Sequence, residues 1–272
     1  MKPICPWCQK KAIVHYTRQS NKLMPIGYWC LNCSKPVDPV NRSPPVVHRM
    51  DIGEFLAVHK KGYDVILADP PWLYGDNITP KNRRPEIHYK TMSVEDICNL
   101  PVSQITNKTA ILFLWSPGPK LIDAMEVIKA WGFQYSTKMA WLKTSQNGQV
   151  RIGLGNNVRN TSEELLIAKK GPYPMPKIKF PSSFFALQTD HSRKPPRSYE
   201  IIENMYPDSS RIELFARYVY PGWVGVGNQA EPYPENVYTS NEEKYTNSKS
   251  ERIQKTLPKE NDHIDIAGEA RL

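Results

Sequence analysis

The apolar residues of this chain fall into short runs and helical-period stretches that alternate. Val65-Ile66-Leu67-Ala68 and Ala110–Trp115 are continuous apolar runs, the pattern of strands buried on both faces. Thr137–Lys143, Glu163–Ala168 and Ile212–Ala216 read as further strands. Between them the period lengthens. Ser93 caps a helix with Glu95 and Asp96 in its first turn, and Leu100-Pro101 ends it. Pro119–Ala130 carries apolar side chains at 121, 122, 125 and 128 and stops at Gly132. Pro195–Tyr206 puts Tyr199, Ile202 and Met205 on one face. Strands alternating with helices predict an α/β fold, with a mostly parallel sheet covered by helices on both faces.

The strand ending at Ala68 is the organising element, because it stops abruptly in Asp69-Pro70-Pro71-Trp72. Two prolines fix φ and remove two donors, so the chain leaves the sheet as a stiff turn. The turn holds a carboxylate and an indole at the carboxyl end of a strand, where open α/β sheets bind ligands. These groups suit methyl transfer to an amine conjugated with an aromatic ring. Such an amine is a poor nucleophile. A carboxylate and a proline carbonyl accepting its N–H bonds would pyramidalise it, most strongly in a dry pocket, while an indole could stack on the extruded base. The competing reading is a structural turn, with Asp69 as a cap and Trp72 in the core.

The N-terminal segment is different in kind. Cys5-Pro-Trp-Cys8 and Cys30-Leu-Asn-Cys33 form two C-x-x-C pairs, and four thiolates so placed suit tetrahedral Zn²⁺ in a zinc ribbon with a hairpin between the pairs. Residues 1–33 are taken as this zinc-ribbon-like segment, 34–45 as a proline-rich semi-rigid linker, 46–230 as the catalytic domain and 231–272 as a polar, disordered tail. The 272 residues carry a net charge of +9, but residues 1–230 hold 30 basic and 18 acidic side chains, a balance of +12. A basic body points to a polyanionic partner. No apolar run approaches membrane-spanning length and no signal-peptide core is present, so a cytoplasmic protein without membrane association is expected.

The motifs, taken together and in order, resemble the MT-A70 adenine methyltransferases, of prokaryotic or phage type. Besides Asp69–Trp72, Tyr89-Lys-Thr91-Met92-Ser93 resembles the family's Y-x-T-M-S, Phe113-Leu-Trp115 its F-L-W strand, and Trp141-Leu-Lys143-Thr144 its W-x-K-T. Asn160 to Glu163, His191–Pro195, Glu213–Arg217, and Pro221-Gly-Trp223 followed by Gly227-Asn228-Gln229 complete the series, covering about Asp51 to Gln229. The resemblance implies a Rossmann-like sheet with permuted motif order and S-adenosylmethionine as methyl donor. By resemblance, Asp69, Pro70, Pro71 and Trp72 are catalytic, and Asp69 also lies near the methionine amino group. Lys194 pairs with the methionine carboxylate, Arg217 and Asn228 bind the ribose, and Gln229 with Asp51-Ile52 frames the adenine. Trp72, Tyr89, Asn160 and Glu163 are the substrate-binding residues. Tyr218-Val-Tyr220 stands where eukaryotic members have a longer insert with His-Asn, so the resemblance assigns no cofactor contact to that insert here. The expected substrate is adenine N6 in DNA. The alternatives are RNA, or a catalytically silent zinc-ribbon nucleic-acid binder on the same scaffold.

Overall fold

The structure, a computed structural model, describes residues 42–74, 91–145, 148–155, 157–188 and 193–233, together with the backbone of the strands at 13–19, 22–30 and 35–37. In chain order the strands are β1 (Ile13–Gln19), β2 (Lys22–Cys30), β3 (Lys35–Val37), β4 (Val46–His48), β5 (Tyr63–Ala68), β6 (Thr106–Ser116), β7 (Gln134–Thr144), β8 (Ser162–Lys170), β9 (Ser183–Leu187), β10 (Arg211–Leu214), β11 (Tyr218–Val219), β12 (Val224–Val226) and β13 (Glu231–Pro232). The α-helices are α1 (Ile52–Val58), α2 (Val94–Cys98), α3 (Leu121–Ala130) and α4 (Pro196–Met205).

Eight strands form one sheet in the order β4-β12-β10-β5-β6-β8-β7-β9. Every pairing is parallel except those of β8, which runs against both β6 and β7. This is the mostly parallel Rossmann-like sheet expected. β5 is central, and its neighbours β10 and β6 come from distant parts of the chain.

The period of two along each strand sorts the layers. Ile66, Ala68, Leu112, Leu114, Leu166, Ala168, Ile212 and Leu214 join a core completed by α1 (Phe55, Leu56), α2 (Ile97) and α3 (Ala124, Val127, Ile128). The alternate positions face the other way. There Phe113 meets Tyr206 at the end of α4, and Glu213 receives the Tyr199 hydroxyl from α4. Helices therefore cover both faces, as the alternation predicts. No helix among the described residues is long and apolar enough to cross a membrane.

The Ser93 cap is found as read from the sequence, while other boundaries differ for local reasons. Ser93 is the cap of α2, its hydroxyl accepting from Asp96 N at 3.0 Å, and the helix itself starts at Val94. Pro119 sits in a short 3₁₀ turn, Gly118–Lys120, and the α-helix begins at Leu121. β10 stops at Leu214 rather than Ala216, because Phe215 takes φ 63° and turns the chain out of the sheet. α1, β4, β9 and β12, each short, were not distinguished by pattern.

The packed region also reaches past 46–230. Arg42 Nε donates to Glu203 Oε2 at 2.8 Å, Gly222 N donates to Ser43 O at 2.7 Å, and Tyr233 packs edge-on against Tyr199 and Tyr220. The predicted linker contains a strand, since Lys35–Val37 pairs with Tyr28–Cys30. Pro36 is tolerated there because β3 is the edge of the three-stranded antiparallel sheet β1-β2-β3. β1 and β2 form a hairpin between the two cysteine pairs. Cys5, Cys8 and Cys33, the Cys30 side chain, Tyr89 and residues 234–272 lie outside the described residues.

Candidate active site

One edge of the sheet gathers nearly all of the candidate residues. β5 ends into Asp69, β10 into Phe215 and Arg217, β12 into Gly227-Asn228-Gln229, and β4 runs on to Asp51. β8 is reversed, so it is the start of that strand, Asn160 to Glu163, that lies at this edge. The antiparallel strand thus brings a carboxylate to the mouth of an otherwise parallel sheet. These residues line a cleft of about 950 Å³, together with Pro70, Pro71, Trp72, Lys143 and Lys194.

Four charges at the floor of the cleft form a chain. Lys194 Nζ lies 2.7 Å from Asp69 Oδ2 and 2.8 Å from Glu163 Oε1, and Lys143 Nζ lies 2.9 Å from Glu163 Oε2. Lys194 also sits over the Trp115 ring, 5.3 Å from its centroid. Burial alone would lower the Lys194 ammonium, but Asp69 and Glu163 outweigh it and hold the group above the ordinary lysine value. Burial likewise works against Glu163, yet Lys194 and Lys143 pull its carboxyl down to about 2. Asp69 goes the other way: burial and the neighbouring Glu163 charge hold it above the usual aspartate value despite Lys194. A carboxylate so placed is a stronger hydrogen-bond acceptor than a solvated one.

The Asp-Pro-Pro-Trp turn is fixed by backbone bonds. Trp72 N donates to Pro70 O at 2.9 Å, and Met92 N donates to Pro71 O at 2.8 Å. A carbonyl oxygen has two lone pairs, so Pro70 O keeps one for a ligand. Trp72 is 4% exposed and belongs to the hydrophobic core around Ile97 and Met92. It also borders the cleft, and its low exposure favours a core role over a stacking platform. A backbone bridge pairs Trp72 with Met92, and its side chain belongs to the same apolar cluster as Ile97 of α2. The indole Nε1 has no hydrogen-bond partner among the described residues.

The opposite end of the cleft has the character of a nucleoside site. Arg217 donates from Nε and Nη2 to Gln229 Oε1 at 3.2 and 3.1 Å, which ties the ends of β10 and β12 together. Gly227 permits their approach, because a Cβ there would lie 2.3 Å from Ala216 O. Phe215, a bulky residue held at φ 63°, stores about 1–3 kcal/mol of backbone strain, as functional turns do. Asp51 caps α1, accepting from Gly53 N at 2.8 Å through Oδ1, and it also lines the cleft. Ile52 beside it supplies apolar wall. Donors and acceptors from Asp51, Arg217, Asn228 and Gln229 around apolar Ile52 and Phe215 fit an adenosine group.

Asn160 is exposed at the cleft rim, with Oδ1 accepting from Ser162 N at 3.3 Å. The sequence reading missed the roles of Lys143, Glu213 and Tyr199. Lys143 and Glu213 were visible only as members of motifs. No feature of Tyr199 apart from its helical periodicity marked it.

Comparison with known proteins agrees with the geometry. The MT-A70 family model matches residues 63–229. The chain is 31% identical over 188 residues to the Type II methyltransferase M.MunI of a Mycoplasma species, spanning 62% of this chain and 78% of that one. It is 30% identical over 176 residues to the human N(6)-adenosine-methyltransferase catalytic subunit METTL3, and 28% identical over 171 residues to an MT-A70-like N(6)-adenosine-methyltransferase of Arabidopsis thaliana. It spans only 28% and 24% of those two proteins. The chain belongs to the MT-A70 family of N6-adenine methyltransferases.

Proposed function

We propose that this protein transfers the methyl group of S-adenosylmethionine to the N6 amine of adenine in DNA, acting in the cytoplasm. The observation that carries the reading is the Asp69 carboxylate, held by Lys194 at the end of the central strand and opening into the cleft. S-adenosylmethionine supplies an electrophilic methyl on a sulfonium. The protein's own groups do the rest. Asp69 and Pro70 O accept the two amine N–H bonds, which releases the nitrogen lone pair from the ring, and Asp69 is placed to take up the proton that leaves on methylation. Pro71 and the buried Trp72 fix the turn that aims these acceptors.

Lys194 has three N–H donors. Two are engaged by Asp69 and Glu163, and the third is assigned to the methionine carboxylate. Arg217 and Asn228 are assigned to the ribose, and Asp51, Ile52 and Gln229 to the adenine ring of the donor. Asn160, Glu163 and Tyr89 are assigned to the target side.

A nucleic-acid substrate and the preference for DNA within it rest on separate grounds, the first on charge and the second on similarity. The balance of +12 on residues 1–230 favours a polyanion. Similarity spans most of a type II methyltransferase but only about a quarter of the METTL3-type proteins. Cys5, Cys8, Cys30 and Cys33 are, by spacing, a thiolate set suited to one structural Zn²⁺, and metal analysis finding about one zinc per chain would support it. The function itself is tested by incubating the protein with the methyl donor and matched DNA and RNA strands. N6-methyladenine is expected, at a higher rate on DNA. Faster methylation of RNA would reverse the preference.

A further inference from the structure

The sheet face covered by α4 holds a buried carboxyl that the charge chain does not use. Glu213, on β10, is 4% exposed. The Tyr199 hydroxyl donates to its Oε1 at 2.9 Å, while Oε2 is buried with no partner among the described residues. Beside it lies a cavity of about 20 Å³ bordered by Asp69, Lys194, Tyr199, Glu213 and Phe215. A space of this size holds one water, and a buried water needs two or more polar partners, which these walls provide. Because Tyr199 donates to Oε1, a proton on this carboxyl belongs on Oε2.

We propose that Glu213 is a positioning residue for Asp69: as a neutral acid it donates, through one water in this cavity, to the catalytic carboxylate and steadies it against the target amine. The inference rests on the methyltransferase reading above. Neutrality follows from the surroundings. Burial pushes the Glu213 carboxyl up to about 8, with Tyr199 opposing and the Asp69 charge assisting. The charged and titratable groups around it are Asp69 after β5, Arg193 and Lys194 before α4, Tyr199 on α4, and Arg217, Tyr218 and Tyr233 beyond β10. An ionised Glu213 would set a third carboxylate beside Asp69 and Glu163 and compete for Lys194.

Two measurements on the full chain test this. The first is infrared difference spectroscopy, wild type against Glu213→Gln, without substrate or methyl donor. A carboxylic acid band is expected near pH 6.5, lost as the pH rises through about 8. Its absence at pH 6.5 would overturn the proposal. The second is the pH profile of kcat. Wild type should fall about tenfold from pH 7 to 9, as expected when the active form is the acid of a group titrating near 8. Glu213→Gln keeps a donor but cannot ionise, so it should stay near wild type at pH 7 and lose this fall, whereas Glu213→Ala should be slow throughout. Tyr199→Phe removes the bond that favours the charged form and should move the fall to higher pH. A Glu213→Gln variant with the wild-type alkaline fall would overturn the positioning role. Lack of methylation by wild type at every pH would instead count against the methyltransferase reading, and the infrared band would then decide whether Glu213 is the neutral acid required here.

Discussion

Lys194 and Asp69, 125 positions apart in the chain, are joined by an Nζ to Oδ2 contact of 2.7 Å at the mouth of the central strand. Both groups are largely removed from water, with Lys194 7% and Asp69 23% exposed. The lysine fixes the carboxylate oxygen that faces it and, through Glu163, links the turn after β5 to the start of the reversed strand β8. Pairs of this kind add little net stability but are costly to break from one side.

Lys194→Met should therefore lower stability by about 3–5 kcal/mol, moderated by protonation of Asp69. For a domain of this size each kcal/mol is worth roughly 2–4 °C in Tm. Calorimetry checks the fall. A Tm within a degree of wild type would mean that the charge chain is not formed in solution.

Trp72→Ala tests whether the indole serves as core or as a stacking platform. As a core residue 4% exposed, its truncation should cost about 3–5 kcal/mol and weaken methyl-donor binding along with the fold. A variant with unchanged Tm and donor affinity but poor use of DNA would restore the stacking role.

The acidic groups set opposite pH dependences. Glu163, held down to about 2 in the fold, contributes stability that is complete above its ordinary value of 4.5 and is lost as pH falls from there towards 2. Glu163→Gln should flatten the acid side of a Tm-against-pH curve in that window. Glu213 is raised from 4.5 to about 8, so the fold holds its proton more tightly than the unfolded chain does. Its burial costs stability increasingly from pH 4.5 to 8 and nothing below. Glu213→Gln should thus be more stable than wild type at pH 7, with the two converging at pH 4.

Arg217→Ala frees Gln229 and removes the link between β10 and β12. Affinity for S-adenosylmethionine should fall about tenfold or more, on the scale of roughly 1.5–3 kcal/mol for a hydrogen bond to a charged group. Titration calorimetry reads this directly. Unchanged affinity would remove Arg217 from the donor site.

Much of this molecule was legible in the sequence because its information is local. Val65–Ala68 and Ala110–Trp115 are strands by their unbroken apolar runs, and the Asp69–Trp72 turn is announced by its two prolines. What escaped depends on distance or on conformation without a residue signature. Nothing near Glu163 says that its strand runs backwards, and so that its carboxylate meets Lys194. Phe215 takes a left-handed conformation usually signalled by glycine, so the apolar pattern runs to Ala216 while β10 ends at Leu214. Trp72 is by residue type as suited to a ligand platform as to a core, and its 4% exposure comes from packing that the local sequence does not announce.

The most direct measurement is mass spectrometry of nucleosides released from an adenine-containing DNA strand after incubation with S-adenosylmethionine and either wild type or Asp69→Ala. Wild type should yield N6-methyladenine, and the variant should be slower by about 100- to 1000-fold, the scale for losing one preorganised electrostatic contact in the transition state. Methylation by Asp69→Ala within a few-fold of wild type would contradict the role given to the carboxylate at the end of β5.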